Sequence, residues 1–282
     1  MRRLTGFTVS SLSDCPWFEI CVINIDKKEM KMKVKTIFLL IIFMSFSLSL
    51  FSQEADELIA QADELYLEMK DMATAEKARD LYLKAFEVAE DNYEAYWKLS
   101  RILYYVGDNT ESKKEKKEIF KQAIEYAKKA VELEPEKPDG YYWLGVNYGV
   151  YGEARGVMKS LFLVNDIKKA MNKVIELEHS YEEGGPDRVL GRVFFKVPGI
   201  AGGSKKKSLV HLQKSLEFGP NDPLTRYYLA ETYLAKKEVE KSRAELDFIL
   251  SMEPDERWVS GVNDCKKDAE EMLKKKKFQK QK

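Results

Sequence analysis

Residues 225–254 read TRYYLAETYLAKKEVEKSRAELDFILSMEP, and this stretch decides the fold. Apolar residues recur every three to four positions on either side of Lys236-Lys237, the spacing of two amphipathic helices joined by a tight turn. Leu229-Ala230 and Tyr233 fall on the first helix, Ser242, Leu246 and Ile249 on the second, and Pro254 closes the unit. Small residues at the crossing let two backbones approach while large ones fill the space between pairs. A proline ends the unit because it cannot continue the helical hydrogen-bond ladder.

The same unit can be traced backward along the chain. AVELEPEKPD (with Pro135), VIELEHSYEEG, SLEFGPNDP (with Pro220) and ILSMEPDE each end an amphipathic run and precede a new helical start. Starts fall near residues 56, 93, 138, 184 and 223. Tyr141, Leu144-Gly145 and Tyr148 open the third copy, and Ala123, Ala127 and Ala130 close the second. Ala62 and Tyr66, then Ala78, Tyr82 and Ala85, make a degenerate first copy. These units resemble tetratricopeptide (TPR) repeats, whose usual period is about 34 residues. The longer spacing here sits inside the pairs, in TESKKEKK, GEARGVMKSLFLVND and the loop around Gly199. The expected fold is all-α, a TPR-like solenoid of about five irregular helix pairs over 53–256, followed by a capping helix and basic tail over 257–282, with the helix itself at about 257–276.

Ahead of the repeats, residues 32–52 read MKVKTIFLLIIFMSFSLSLFS. A basic flank, a short apolar core and small residues are the layout of a secretory signal peptide. Cleavage is expected after Ser52 or Ser49, the first giving a mature start at Gln53; the alternative is an uncleaved N-terminal anchor, the membrane's one route to the protein in this reading. Residues 1–31 read as an extension upstream of the true start at Met30 or Met32. No cysteine follows the apolar core to take a lipid anchor.

Composition narrows the chemistry. Basic and acidic residues balance at 47 each, and beyond residue 52 the count is 40 basic against 43 acidic, which argues against nucleic acid. Two histidines, His179 and His211, and three cysteines, Cys15, Cys21 and Cys265, form no zinc, redox or disulfide spacing. No catalytic or metal-binding residues and no cofactor are expected, and the protein reads as a non-enzyme. His211 and Cys265 read as packing or surface residues.

The loop GGPDRVLGRVFFKVPGIAGGSKKK, residues 184–207, has the residue types of a phosphate cradle but neither the GxxxxGK[ST] nor the GxGxxG spacing. It reads as a turn between helices. Pro198 stops one helix, Gly199, Gly202 and Gly203 supply unusual backbone angles, and Ser204 caps the next. Lys205, Lys206 and Lys207 then fall where the helix dipole disfavours cations. Either they form a solvated triplet, or with Ser204 they contact an anionic partner.

By repeat register the groove positions are Trp97, Arg101, Tyr104 and Tyr105 in pair two and Tyr142 in pair three. Pair four adds Arg188, Arg192 and Phe195, and pair five Tyr227 and Glu231. Aromatics among three arginines suit a peptide carboxylate or a small organic anion. Inter-repeat packing is the competing reading for each ring. The insert residues Val157, Met158, Leu161, Phe162 and Leu163 are apolar for a loop; they fold over the groove, line an apolar pocket, make an oligomer contact, or bury within their own repeat.

Trp143-Leu144-Gly145, the insert 153–166, Gly184-Gly185 with Leu190-Gly191, and Pro198 to Gly203 before His211-Leu212 together resemble the T component of TRAP transporters (the TatT family), over roughly 138–235. That resemblance implies a bacterial periplasmic protein, homo-oligomers with a hydrophobic passage, and partnership with a periplasmic solute-binding protein. The expected function is an exported interaction scaffold of the cell envelope. The alternative is a direct binder of a small apolar or carboxylate ligand in a cavity lined by the third-repeat insert.

Overall fold

The computed structural model describes residues 27–69, 71–253, 259–275 and 278. The chain divides into two compact units, Met1–Phe51 and Ser52–Lys282. The first helix, α1, has the bounds Lys27–Leu67. Within the first unit, the side chains of Val34, Ile37, Phe38, Leu39 and Leu40 are exposed. No described helix is long and apolar enough to cross a membrane. The upstream extension falls largely, and Pro254 wholly, outside the described residues.

The second unit is built of helix pairs. After the end of α1 come α2 (Met72–Val88), α3 (Tyr93–Asp108), α4 (Lys113–Leu133), α5 (Pro138–Arg155) and α6 (Val164–Leu177). Then follow α7 (Tyr181–Lys196), α8 (Lys205–Phe218), α9 (Pro223–Ala235), α10 (Val239–Ser251) and α11 (Val259–Leu273). No strand occurs among the described residues. Five pairs and a terminal helix therefore stand as expected among the described residues; positions 257, 258 and 276 of the last helix as read from the sequence lie outside them.

Local chemistry sets the boundaries. Side chains of Asp71, Asn92, Ser112, Ser204 and Asp222 accept the free N–H groups at the starts of α2, α3, α4, α8 and α9. Pro138 and Pro223 occupy first-turn positions, where a missing N–H costs nothing. Small residues lie at the crossings as the pattern requires. A Cβ on Gly191 would fall 2.6 Å from Leu212 Cγ, and Ser242 Oγ donates to Ala230 O at 2.8 Å. The terminal helix buries Cys265, Ala269 and Met272 against Leu246 and Ile249 of α10, so the last repeat has no open apolar face.

Three expectations change. The fourth pair does not begin as a clean helix: Glu182, Glu183 and Gly184 all have positive φ, a left-handed kink at the head of α7. Of the three glycines after Pro198, only Gly202 has positive φ, at 90°. Gly203 is needed for a different reason, because a Cβ there would lie 1.7 Å from Val197 O. The apolar insert is also no single object. It forms a short 3-10 helix, Val157–Leu163, whose Leu161 and Leu163 join the core of pair three while Met158 and Phe162 face solvent.

Candidate partner groove

Helices α3, α5, α7 and α9, with the end of α1, supply the inner face. The first helix of each pair carries its groove positions one turn apart, so Trp97, Arg101 and Tyr104 line up along α3. Curvature brings distant pairs together: Glu182 at the head of α7 lies within electrostatic reach of Arg101 on α3 and of Arg188. Tyr104 on α3 likewise senses Tyr228 on α9.

Each arginine anticipated as a free carboxylate fork already holds a carboxylate of this chain. Arg101 stacks 3.7 Å from the Tyr66 ring centroid and donates to Asp63 Oδ1 at 3.3 Å and Tyr82 Oη at 3.2 Å. Arg188 donates to Asp222 Oδ2 at 2.6 Å and to Tyr142 Oη at 2.9 Å. Arg192 pairs with Glu231 and sits 4.2 Å from the Tyr228 ring centroid. The reason is geometric: a carboxylate one repeat away reaches each guanidinium, and a paired, hydrogen-bonded charge is the form in which a half-buried arginine is stable.

The rings divide between packing and groove. Trp97 and Tyr142 are buried, so packing accounts for them. Tyr104, Tyr105, Phe195 and Tyr227 keep part of their surface in solvent. Tyr105 packs with the first-pair cluster. Burial pushes the Tyr142 hydroxyl up to about 12 against the opposing pull of Arg188, and does the same to Tyr228 against Arg192. Burial likewise raises the Glu182 carboxyl, with Arg188 and Arg101 opposing. Tyr228 is half-buried, its ring 4.2 Å from the Arg192 guanidinium.

Tyr66, Tyr181, Glu182, Asp222 and Tyr228 contribute to this face without standing out in the sequence. Tyr228 was legible in principle, as the neighbour of Tyr227 in the doublet that opens pair five. Three donors here have no hydrogen-bond partner within the chain: Trp97 Nε1, Arg101 Nε and Trp143 Nε1. No group of histidine, cysteine, aspartate or glutamate among the described residues could hold a metal.

Ser204 caps α8 as expected. Ser204 accepts from Lys207 N at 3.2 Å, and all three lysines are exposed. Lys205 reaches back to Phe195 O at 3.4 Å.

Comparison with known proteins gives the fold its name. The thermophilic TPR protein TTC0263 of Thermus thermophilus superposes with a TM-score of 0.59 at 18% identity, covering 76% of this chain and 98% of that one. Pseudomonas aeruginosa pilF gives 0.52 at 15% identity, covering 82% and 97%. The fold is a TPR-like helical solenoid. A family model described as "Regulator of microtubule dynamics protein 1-3" matches residues 58–184. The chain is 31% identical over 125 residues to regulator of microtubule dynamics protein 1 of Bos taurus, covering 44% of this chain and 38% of that one. The Mus musculus protein of that name is 28% identical over the same length, with 39% of it covered. The chain thus spans well under half the length of these curated relatives.

Proposed function

We propose that the protein is a non-enzymatic interaction scaffold whose inner face clasps an extended segment of a partner protein. The carrying observation is the inner face of a TPR-like solenoid on which the rings of Tyr104, Phe195, Tyr227 and Tyr228 stay partly exposed among arginines already paired within the chain. Because Asp63, Asp222 and Glu231 already neutralise the arginines, the face calls for apolar and uncharged side chains rather than a free carboxylate.

The finer reading is an exported protein of the bacterial envelope, accessory to a TRAP-type transport system and partnered by a periplasmic solute-binding protein. The 32–52 segment and the glycine-rich features at 184–203 support it. The likeness to regulators of microtubule dynamics covers pairs one to three, the part holding Trp97, Arg101 and Trp143, and is consistent with a shared partner-binding module. Packing of Leu161 and Leu163 into their own repeat weighs against a ligand cavity built from the insert.

The test is site-specific photocrosslinking in cells, with the crosslinker at Tyr104 or Tyr228 on the inner face and at Lys121 on the outer face. A discrete partner adduct from the inner positions alone is expected. Adducts from Lys121 alone would sink the reading.

A further inference from the structure

The turns within the helix pairs fall along one edge of the solenoid, and the turns between pairs along the opposite edge, because successive helices run antiparallel. Charge divides the same way. Lys113 and Lys114 open α4, Lys205 to Lys207 open α8, and Lys168 and Lys169 fall early in α6. Glu132, Glu134, Glu176, Glu178 and Glu217 lie at the other ends of those helices. No second helix of a pair has a basic residue in its last turn, and α8 has no acid in its first. At the start of α8 this order opposes the helix dipole, which favours anions at helix starts and cations at helix ends, whereas α4, α6 and α10 carry Glu115, Asp166 and Glu240 in their first turns. Local helix stability therefore does not explain Lys205 to Lys207.

The basic edge has a second property. Its two longest turns are short 3-10 helices, Val157–Leu163 and Gly199–Ala201. Their tips carry Met158 at 65%, Phe162 at 60% and Ile200 at 98% exposure. The turns are neighbours: Lys168, just after the first, and Lys207, just after the second, come within 4.7 and 5.4 Å of the same Phe194 ring centroid. Arg155 lies 5.5 Å from the Phe162 ring centroid. Acids share this edge: Asp108 pairs with Lys116 and Glu153 with Lys196, both at 3.8 Å, while Glu111, Glu115 and Asp166 are exposed beside the lysines, which outnumber them.

We propose that this edge docks the protein on an anionic lipid surface, with Met158, Phe162 and Ile200 entering the headgroup layer and the flanking lysines against lipid phosphates. Apolar tips on convex turns, each separated from the next by cations, offer no continuous patch for the core of a protein interface. They match the interfacial pattern of isolated apolar side chains inserted among basic ones. An anionic leaflet also reverses the dipole penalty at the start of α8.

The test uses the full chain carrying Cys15→Ser and Cys21→Ser, with an environment-sensitive fluorophore attached at Ile200→Cys or, on the acidic edge, at Glu136→Cys. Vesicles are phosphatidylcholine alone or phosphatidylcholine with phosphatidylglycerol. The expected result is a several-fold, blue-shifted rise at position 200 with the anionic vesicles only, reversed by salt, and no change at position 136. Replacing Lys205, Lys206 and Lys207 by Gln should weaken the lipid dependence at least about tenfold, since each basic residue near such a surface is worth about a factor of five. Phe162→Ser with Met158→Ser should reduce the rise without altering helicity. No rise at position 200 overturns the proposal, as does an equal rise at both positions, which marks tethering through the N-terminal segment alone. A rise that follows protein concentration without lipid also overturns it, and assigns the edge to the acidic edge of a second copy.

Discussion

Arg188 and Asp222 meet at 2.6 Å although the rest of α7 and all of α8 lie between them in sequence. Asp222 also accepts from Leu224 N and Thr225 N at 3.2 Å, so one carboxylate both caps α9 and anchors it to α7. Asp222→Ala removes a cap and strands a half-buried guanidinium. A loss of about 3 kcal/mol is expected in urea unfolding. The double variant with Arg188→Met should lose less than Asp222→Ala alone, because no unpaired charge remains.

Asp187 holds both histidines, accepting at 2.6 Å from His179 Nε2 and at 2.6 Å from His211 Nδ1. Burial by itself would raise this carboxyl, but the hydrogen bonds from His211 and His179 outweigh it and hold it below the ordinary 3.8. Its stabilising contribution is therefore present above pH 3.8 and is lost as pH falls through the depressed folded value. Asp187→Asn should destabilise the protein by about 2 kcal/mol at neutral pH. The variant should also show a shallower acid transition than the parent when unfolding is followed by circular dichroism.

Glu182 has the opposite sign. Burial raises its carboxyl above the ordinary 4.5, so ionisation costs folded-state stability as pH rises through and beyond that value. Glu182→Gln is expected to be more stable than the parent at neutral pH and equal to it in acid. Thermal midpoints at both pH values check this.

Two glycines should respond oppositely to alanine. Gly149 lies inside α5 with nothing within 4 Å of an added Cβ, so Gly149→Ala should stabilise by about 0.5–1 kcal/mol. Gly203→Ala drives a Cβ into Val197 O and should destabilise by about 2 kcal/mol or more, with the Gly199–Ala201 turn reorganised. Paired denaturant titrations distinguish the two.

Cys265 is buried in the last interface, and burial, together with the carboxylates of Asp222, Asp268 and Asp264, pushes its thiol up to about 12. It should resist alkylation in the native protein and react fully in denaturant, as peptide mapping would show.

The helix pairs and the terminal cap were legible in the sequence because their causes are local. The Leu229-Ala230, Tyr233 and Ser242 spacing, the capping side chains of Asn92, Ser112 and Ser204, and the prolines at 138 and 223 act within a few residues of themselves. The kink at Glu182–Gly184 was not legible. It places two non-glycine residues at positive φ, and those conformations depend on the packing around Gly184 and Gly185 against Ser215 and Tyr142.

By itself the sequence determined that this is an array of amphipathic helix pairs with Lys205 to Lys207 set against the dipole of one helix, because periodicity and position along a helix need no partner. Only the tertiary structure decided what the groove presents. Whether Arg101, Arg188 and Arg192 stand free or bind Asp63, Asp222 and Glu231 depends on where solenoid curvature puts groups some 34 to 39 residues apart. Whether the insert is core or surface likewise depends on how Leu161 and Leu163 meet the facing helices, which leaves Met158 and Phe162 outside. Both outcomes rest on long-range geometry, which spacing along the chain does not encode.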